Sequence, residues 1–469
     1  MTRTIAPLSA AKSPERDRLR RILADALASV RGDRLIETQS KLSGDTWSIR
    51  CGANAVDWVL PTDGRLLVIG AGKAVGALAQ GVLRMLGDRV DGGCLITKYG
   101  HSEPTVAIPQ LEAGHPLPDD AGVAATAALL ETVSDLTERD AVIMLLTGGA
   151  SALLVAPVEG VTLAEKARTT ELLLRSRASV EEINCVRRRL SRVKDGRLLD
   201  HIAPAAVLTL MLSDVPSGDW RAIGSGPTIA AGGSEMDPLE IVERYGLRAR
   251  LPGPVCDVLA RPAEVRPPPP VRNAAIVVGD RHTLVEAVRA AAGREDLPVI
   301  PVDLAMRGDT HDASHVFASA LSGVSRSDRP ALLVSAGETT LEVTGTGKGG
   351  RNQEFALCAA IALDGTEGAT LLAVGTDGTD GPTPTAGAFA DGKLCARARA
   401  MGLDPQAALA DNDSHGFFER TGDLIHTGPT GTNLMDLVLG LAAPTSTAGP
   451  GLEADARDAR RFSTTRRGE

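Results

Sequence analysis

Glycine, fixed positive charge and carboxylates meet at several points in this chain in patterns that could handle an anion. The densest is Gly345-Thr346-Gly347-Lys348-Gly349-Gly350-Arg351-Asn352-Gln353-Glu354, where four glycines surround Lys348 and precede Arg351. Such a loop can turn its N–H groups toward an anion, and a guanidinium offers a two-pronged fork for phosphate or carboxylate. It reads equally as a turn feeding the first turn of a helix with surface charges. A second point is Gly70-Ala71-Gly72-Lys73-Ala74-Val75-Gly76, where a cation opposes the dipole of the helix it begins and so needs a reason to be there. A third is Gly375-Thr376-Asp377-Gly378-Thr379-Asp380, two carboxylates three residues apart in an oxygen-rich turn suited to Mg²⁺, or a plain pair of Asp-Gly turns. Asp214, in Ser213-Asp214-Val215-Pro216-Ser217-Gly218-Asp219, is a candidate general base or metal-linked carboxylate.

Each of these must be positioned by regular structure. Residues 15–31 form an amphipathic helix, and Arg65–Ile69 reads as a buried strand running through the Lys73 turn into a helix that ends near Met85. The dinucleotide fingerprint wants glycine where Val75 stands, and the P-loop wants glycine and a hydroxyl where Leu67 and Ala74 stand, so both motifs fail. Lys98 follows the next strand where a carboxylate would hold an NAD ribose, although a lysine there could meet a 2′-phosphate. Ala141–Leu146 is a buried strand opening into Thr147-Gly148-Gly149-Ala150-Ser151, at the kind of strand end where open α/β sheets bind ligands. Residues 162–200 look helical, Val207–Leu212 is a strand, and 251–272, with Pro267–Pro270, is the expected linker. Beyond it come strands at Ala274–Val278, Val299–Val302, Ala331–Ser335 and Leu371–Val374, a helix from Asn352 to Ala360, and a helix reaching about Leu441. The last stretch, with Arg457, Arg460, Arg461, Arg466 and Arg467, has no apolar period and reads as a mobile tail.

Composition narrows the class. The 469 residues suggest two or three domains, and 43% hydrophobic with 23% charged residues is ordinary for a soluble protein; 50 glycines and many alanines point to an α/β enzyme. A net charge of −9 argues against a nucleic-acid binder. The one dense basic run outside the tail, Arg187 to Arg197, reads as a solvated helix face or as an anion site for a small substrate. Six scattered cysteines with no CxxC pair indicate neither zinc nor a disulfide framework, and neither a leader-like segment nor a membrane-length apolar run occurs; a cytoplasmic protein is expected, monomer or homodimer.

Taken in order, VIGAGKA, GHPLPD, LLTGGASALL, INCVRRRLSRVKDGRL, LMLSDVPSGD with GSGPT, SAGETTLEVTGTGKGGRNQE, AVGTDGTDGPT and TGPTGTNLMDL resemble the glycerate 2-kinase family, also labelled hydroxypyruvate reductase of tartrate degradation. The similar stretches run from about 15 to 443, and Ala336 departs from an expected glycine. The resemblance implies two three-layer α/β/α domains, the first Rossmann-like with a mainly parallel sheet and the second smaller with a mixed MOFRL-type sheet, with the active site in the cleft between them. Expected bounds are 15–250, a linker over 251–272, 273–443, and the tail 444–469. The resemblance further implies ATP, Mg²⁺ or another divalent cation, and D-glycerate phosphorylated at its 2-hydroxyl, with Lys73 and Arg351 essential. Asp214 is then a candidate base and Asp377 and Asp380 candidate metal ligands. Gly72, Gly149, Ser151, Arg188, Ser225, Glu338, Lys348, Asn352 and Asn433 are candidate substrate or nucleotide contacts. The rival readings are an NAD(P)H-dependent reductase of hydroxypyruvate or tartronate semialdehyde, which Val75 and Lys98 disfavour, and a non-catalytic sensor.

Overall fold

A computed structural model describes residues 13–106, 108–176, 178–215, 218–229, 236–261, 271–302, 306–327 and 329–443. Most of the proline-rich stretch (262–270), Pro216, Ser217 and the expected tail lie outside the described residues. Near the start, β1 (Ser40–Ser43), β2 (Thr46–Cys51) and β3 (Asn54–Val59) form a small antiparallel sheet that the sequence reading did not foresee.

The apolar runs β4 (Leu66–Ala71) and β7 (Ala141–Leu146) are buried along their whole length, as strands at the centre of a parallel sheet must be. They are joined by β5 (Gly92–Lys98), β6 (Gln110–Ala113), β8 (Ala206–Leu212) and β9 (Asn273–Gly279) in the spatial order β6-β5-β4-β7-β8-β9, every pair parallel. This is the doubly wound Rossmann order, and the chain reverses direction across the sheet between β4 and β7. The loops leaving those two strands, Gly72-Lys73 and Thr147-Gly148-Gly149, therefore open a crevice at the strands' carboxyl ends.

The second sheet contains β10 (Val299–Pro301), β11 (Ala331–Gly337), β12 (Ala369–Gly375), β13 (Gly387–Asp391), β14 (Leu424–Ile425) and β15 (Asp436–Ala442), ordered β10-β11-β15-β12-β13-β14 and mixed in direction. Asp436 is opposite both Gly337 and Gly375, so the start of β15 lies between the carboxyl ends of β11 and β12.

Several expectations are corrected. Asn273–Gly279 completes the first sheet rather than opening the second domain. Asp436–Ala442 is a central strand and not the end of a helix; a seven-residue apolar run fits either element, and pairing on both edges decides it. The span 162–200 holds three helices, Leu163–Arg175, Val180–Arg189 and Leu198–Ile202, separated by loops. The first helix, Pro14–Ser29, packs across the second half of the chain: buried Arg16 pairs with Asp391 at 2.5 Å and with Asp423. One apolar cluster accordingly runs from Val68 and Ile143 in the first sheet, through Leu19, Ile22 and Leu284, to Val334, Leu372 and Leu439 in the second. No helix among the described residues is long and apolar enough to cross a membrane.

Candidate active site

Gly72 has φ +139°, and a Cβ there would sit 2.1 Å from the Thr147 hydroxyl, so only glycine lets the β4 turn lie against the β7 turn. The Lys73 N–H donates to the Gly148 carbonyl at 3.0 Å, and the Ala74 N–H to Thr147 Oγ1 at 3.1 Å, fixing the turn that carries the lysine. Lys73 Nζ reaches across the cleft to Asp377 Oδ2 at 2.6 Å, joining the two halves of the protein. Burial opposes the lysine's charge, but Asp377 and Asp214 outweigh it and hold its pKa above the ordinary value. Burial likewise opposes ionisation of Asp377, yet Lys73 and the Thr379 N–H, 2.9 Å from Oδ1, bring it down to about 2.

Arg351 begins the helix Arg351–Ala362 on the facing side. Its Nε and Nη2 grip the two carboxylate oxygens of Asp436, and Nη1 donates to Glu338. Three of a guanidinium's five N–H donors are thus engaged, leaving two for a ligand. Burial raises Glu338 to about 7, with Asp436 and Asp214 adding repulsion and Arg351 opposing it. Lys73, Arg351 and Asp214 lie close enough to feel one another electrostatically. Burial raises Asp214 above the usual carboxylate range, and its Oδ2 is 3.4 Å from Asn433 Nδ2 of the second domain. Both press on Gly148, where a Cβ would fall 1.8 Å from each of those two atoms.

Not every expected residue joins this group. Asp380 is 2% exposed, and its carboxylate accepts four N–H donors: the backbone and side-chain amides of Asn352 (3.0 and 3.2 Å) and of Gln353 (both 2.8 Å). It caps the Arg351 helix from outside and has no lone pair left for a cation, so its assignment as a metal ligand is corrected. Asn352 serves the same cap at 2% exposure and does not line the cleft. In the glycine loop before Arg351, the N–H groups of residues 344–348 are turned to the protein rather than to an anion. The Thr344 and Gly345 N–H groups both donate to Asn412 Oδ1 at 2.9 Å, those of Thr346 and Gly347 to Asp411, and that of Lys348 to Asp413 at 3.2 Å, while Lys348 itself is exposed. Gly350 is needed because a Cβ there would strike Asp380 Oδ1 at 2.3 Å. With Asp380 saturated and Asp377 on Lys73, the expected metal pair does not fit a divalent ion; among the described residues no three His, Cys, Asp or Glu side chains converge as a metal site.

The structure also adds members that the sequence reading did not place in this group. Lys98 Nζ donates to Thr379 Oγ1 at 3.3 Å, and burial together with Lys73 lowers its pKa. His115, from the Gly114–Asp119 turn cluster, lies beside Gly149, and burial, Lys73 and Lys98 push it down to about 3, so it is neutral at working pH. Asp436 lay inside a recognised motif, but only β15's position between two strands shows it as the partner of Arg351. Ser151 and Ser225 do meet, Oγ to Oγ at 3.1 Å, and the arginine that reaches Ser151 is Arg187 (Nη2 to Oγ, 3.0 Å) rather than its neighbour Arg188.

Residues 18–260 match the family described as "Domain of unknown function (DUF4147)", and 331–436 match the MOFRL family. The D-glycerate 2-kinase of Thermotoga maritima is 39% identical over 383 residues, 80% of this chain and 90% of that protein. The glycerate 2-kinase of Pyrococcus horikoshii is 34% identical, covering 81% and 87%. A putative hydroxypyruvate reductase of Agrobacterium vitis is 40% identical, covering 80% and 98%. The crystal structure of glycerate kinase from Thermotoga maritima superposes with a TM-score of 0.76 at 36% identity, covering 92% of this chain and all of that one. With both domains matched and the cleft between them built from both, the chain belongs to the glycerate kinase family that pairs a DUF4147 domain with a MOFRL domain.

Proposed function

We propose that the protein transfers the γ-phosphoryl group of ATP to the 2-hydroxyl of D-glycerate, giving 2-phosphoglycerate and ADP. The observation that carries this reading is that Lys73, at the switch point of the first sheet, is ion-paired to Asp377 of the second and lies within electrostatic reach of Arg351. Phosphoryl transfer asks little covalent help of a protein; it needs in-line positioning and cations on the transferred group. Lys73, kept protonated by Asp377, and the two unengaged N–H donors of Arg351 supply those cations from opposite walls. Asp214, on which both cations act, has a raised pKa, which makes it a better proton acceptor than an ordinary carboxylate for the substrate hydroxyl. Neutral His115 adds hydrogen-bonding capacity without repelling the lysines. A divalent cation, where ATP carries one, would supply further positive charge to the phosphates, and neither Asp377, engaged by Lys73, nor Asp380, engaged by four N–H donors, would be free to hold it.

The reductase name borne by some relatives finds no support in the site. The turn after β4 has Val75 in place of the third fingerprint glycine, and Lys98, where a ribose-binding carboxylate belongs, donates to Thr379 across the cleft. A coupled assay separates the readings: ATP-dependent product from D-glycerate is expected, and NADH oxidation with hydroxypyruvate in the absence of phosphorylation would overturn the kinase. ³¹P NMR of the product is expected to show the 2-phosphate; a 3-phosphate would overturn the regiochemistry.

A further inference from the structure

The long connection from β7 to β8 carries a group of buried cations that the reaction above does not use. Lys166, on the helix Leu163–Arg175, is 5% exposed, and among the described residues its ammonium has no hydrogen-bond partner. Lys194 is 1% exposed and donates to the Ser151 hydroxyl at 2.6 Å and the Ser151 carbonyl at 2.8 Å. Arg187 donates to the same hydroxyl at 3.0 Å. Among the described residues the charges bearing on the two lysines are all of one sign: Arg187, Lys166 and Arg188 on Lys194, and Arg187 and Arg197 on Lys166. Burial and this repulsion lower Lys166 to about 7 and Lys194 well below its ordinary value.

Burying like charges without a counter-charge is costly, and an unpaired ammonium adds to the cost. A bound anion removes both penalties at once. The geometry suits one. Lys166 and Lys194 lie deep, while Arg187 and Ser151 are half-buried, so the group opens to solvent on their side. Ser151 Oγ accepts from both Lys194 and Arg187, which fills its two lone pairs and leaves its proton to donate outward or to Ser225 at 3.1 Å. Ser151 follows Gly149 by two residues, and a Cβ on Gly149 would lie 3.2 Å from Lys73 Cγ, so the group sits at the same sheet edge as the proposed transfer site.

We propose that Lys166, Arg187 and Lys194, with the Ser151 hydroxyl, form an oxyanion subsite that holds the carboxylate or a phosphoryl group of a small ligand beside Lys73. The subsite stands on its own geometry and does not require that the kinase reading be right. Two ligands of the proposed reaction carry the chemistry: the acceptor through its carboxylate and the nucleotide through its phosphates. The experiment measures dissociation constants by calorimetry for D-glycerate, ADP and inorganic phosphate, at fixed ionic strength, with wild type, Lys166→Met and Arg187→Gln. Lys166→Met removes a cation that makes no hydrogen bond to the described residues, so a folded variant is expected, with a ligand-free Tm no lower than wild type; Arg187→Gln is the independent second variant. The expected result is that at least one of the three ligands binds wild type and binds both variants about tenfold or more weakly, the size of a lost charge-assisted hydrogen bond. Loss confined to D-glycerate identifies the carboxylate, and loss confined to ADP the nucleotide phosphates. Phosphate binding lost in the variants supports the subsite even if no turnover with ATP is found. Unchanged affinities for all three ligands in both variants, or no binding of any of them by wild type, overturns it.

Discussion

Arg351 is gripped by Asp436 and Glu338 on three of its N–H donors, whereas Lys73 rests on the single carboxylate of Asp377. A lysine at 351 would keep the charge and lose the fork that Asp436 orients. Arg351→Lys is therefore expected to lower kcat by about 10²- to 10³-fold, the scale seen when one preorganised donor is removed, while the far-UV spectrum stays unchanged. Steady-state kinetics with saturating ATP and D-glycerate check this, and activity within a few-fold of wild type would remove Arg351 from the transfer step. Glu338 gives a pH prediction. Burial raises it from 4.5 to about 7, so across that interval the native chain keeps a proton that the unfolded chain releases. Stability should fall as pH rises through this window, and Glu338→Gln should flatten the fall. A third of the side chain is open to solvent, so the difference between pH 5 and pH 8 in urea denaturation is expected to be about 1 kcal/mol.

The helix that presents Arg351 is held by a device at the level of elements. Gly350, its N-cap residue, has no side chain to offer, and Asp380 reaches in from the β12–β13 loop to take the two backbone N–H groups and the two side-chain amides of Asn352 and Gln353. Asp380→Ala strips four buried donors of their acceptor and is expected to cost about 3 kcal/mol, more than an exposed cap would. Urea denaturation without added metal measures this. A loss that appears only when Mg²⁺ is present would restore Asp380 as a metal ligand. The first part of the glycine loop ahead of the helix has a structural role, the N–H groups of residues 344–348 being spent on the Asp411–Asp413 segment.

At the scale of the molecule, the helix Pro14–Ser29 ties the two sheets into one apolar cluster, and Arg16 joins it to Asp391 and Asp423. The halves are expected to unfold together, with calorimetric and van't Hoff enthalpies in agreement; two separate transitions would contradict a shared core. Arg16→Met leaves the buried carboxylate of Asp423 with Arg397 as its remaining partner among the described side chains, and the half-buried one of Asp391 with Arg397 and the Lys393 N–H, and is expected to cost about 3 kcal/mol, read as a drop in Tm with little effect on KM.

Local chemistry was legible in the sequence because it is written in consecutive residues. The apolar runs Arg65–Ile69 and Ala141–Leu146 announced strands, the turns after them announced a ligand edge, and the motifs around Lys73 and Arg351 announced the family. What only the tertiary structure decided were relations between residues far apart in the chain. Asp377 is held by Lys73, 304 residues away, Asp436 by Arg351, and Asp380 by a helix it does not belong to. A pair of acids in an Asp-Gly turn reads as a metal site until the donors that saturate one of them are in place. The basic run Arg187 to Arg197 leaves a solvated face and an anion site both open in the sequence, until folding buries its Lys194 together with Lys166 of the helix Leu163–Arg175. Periodicity fixes which face of an element is apolar, but it carries no information about which element will pack there, and that choice set the partners, and so the roles, of these charged groups.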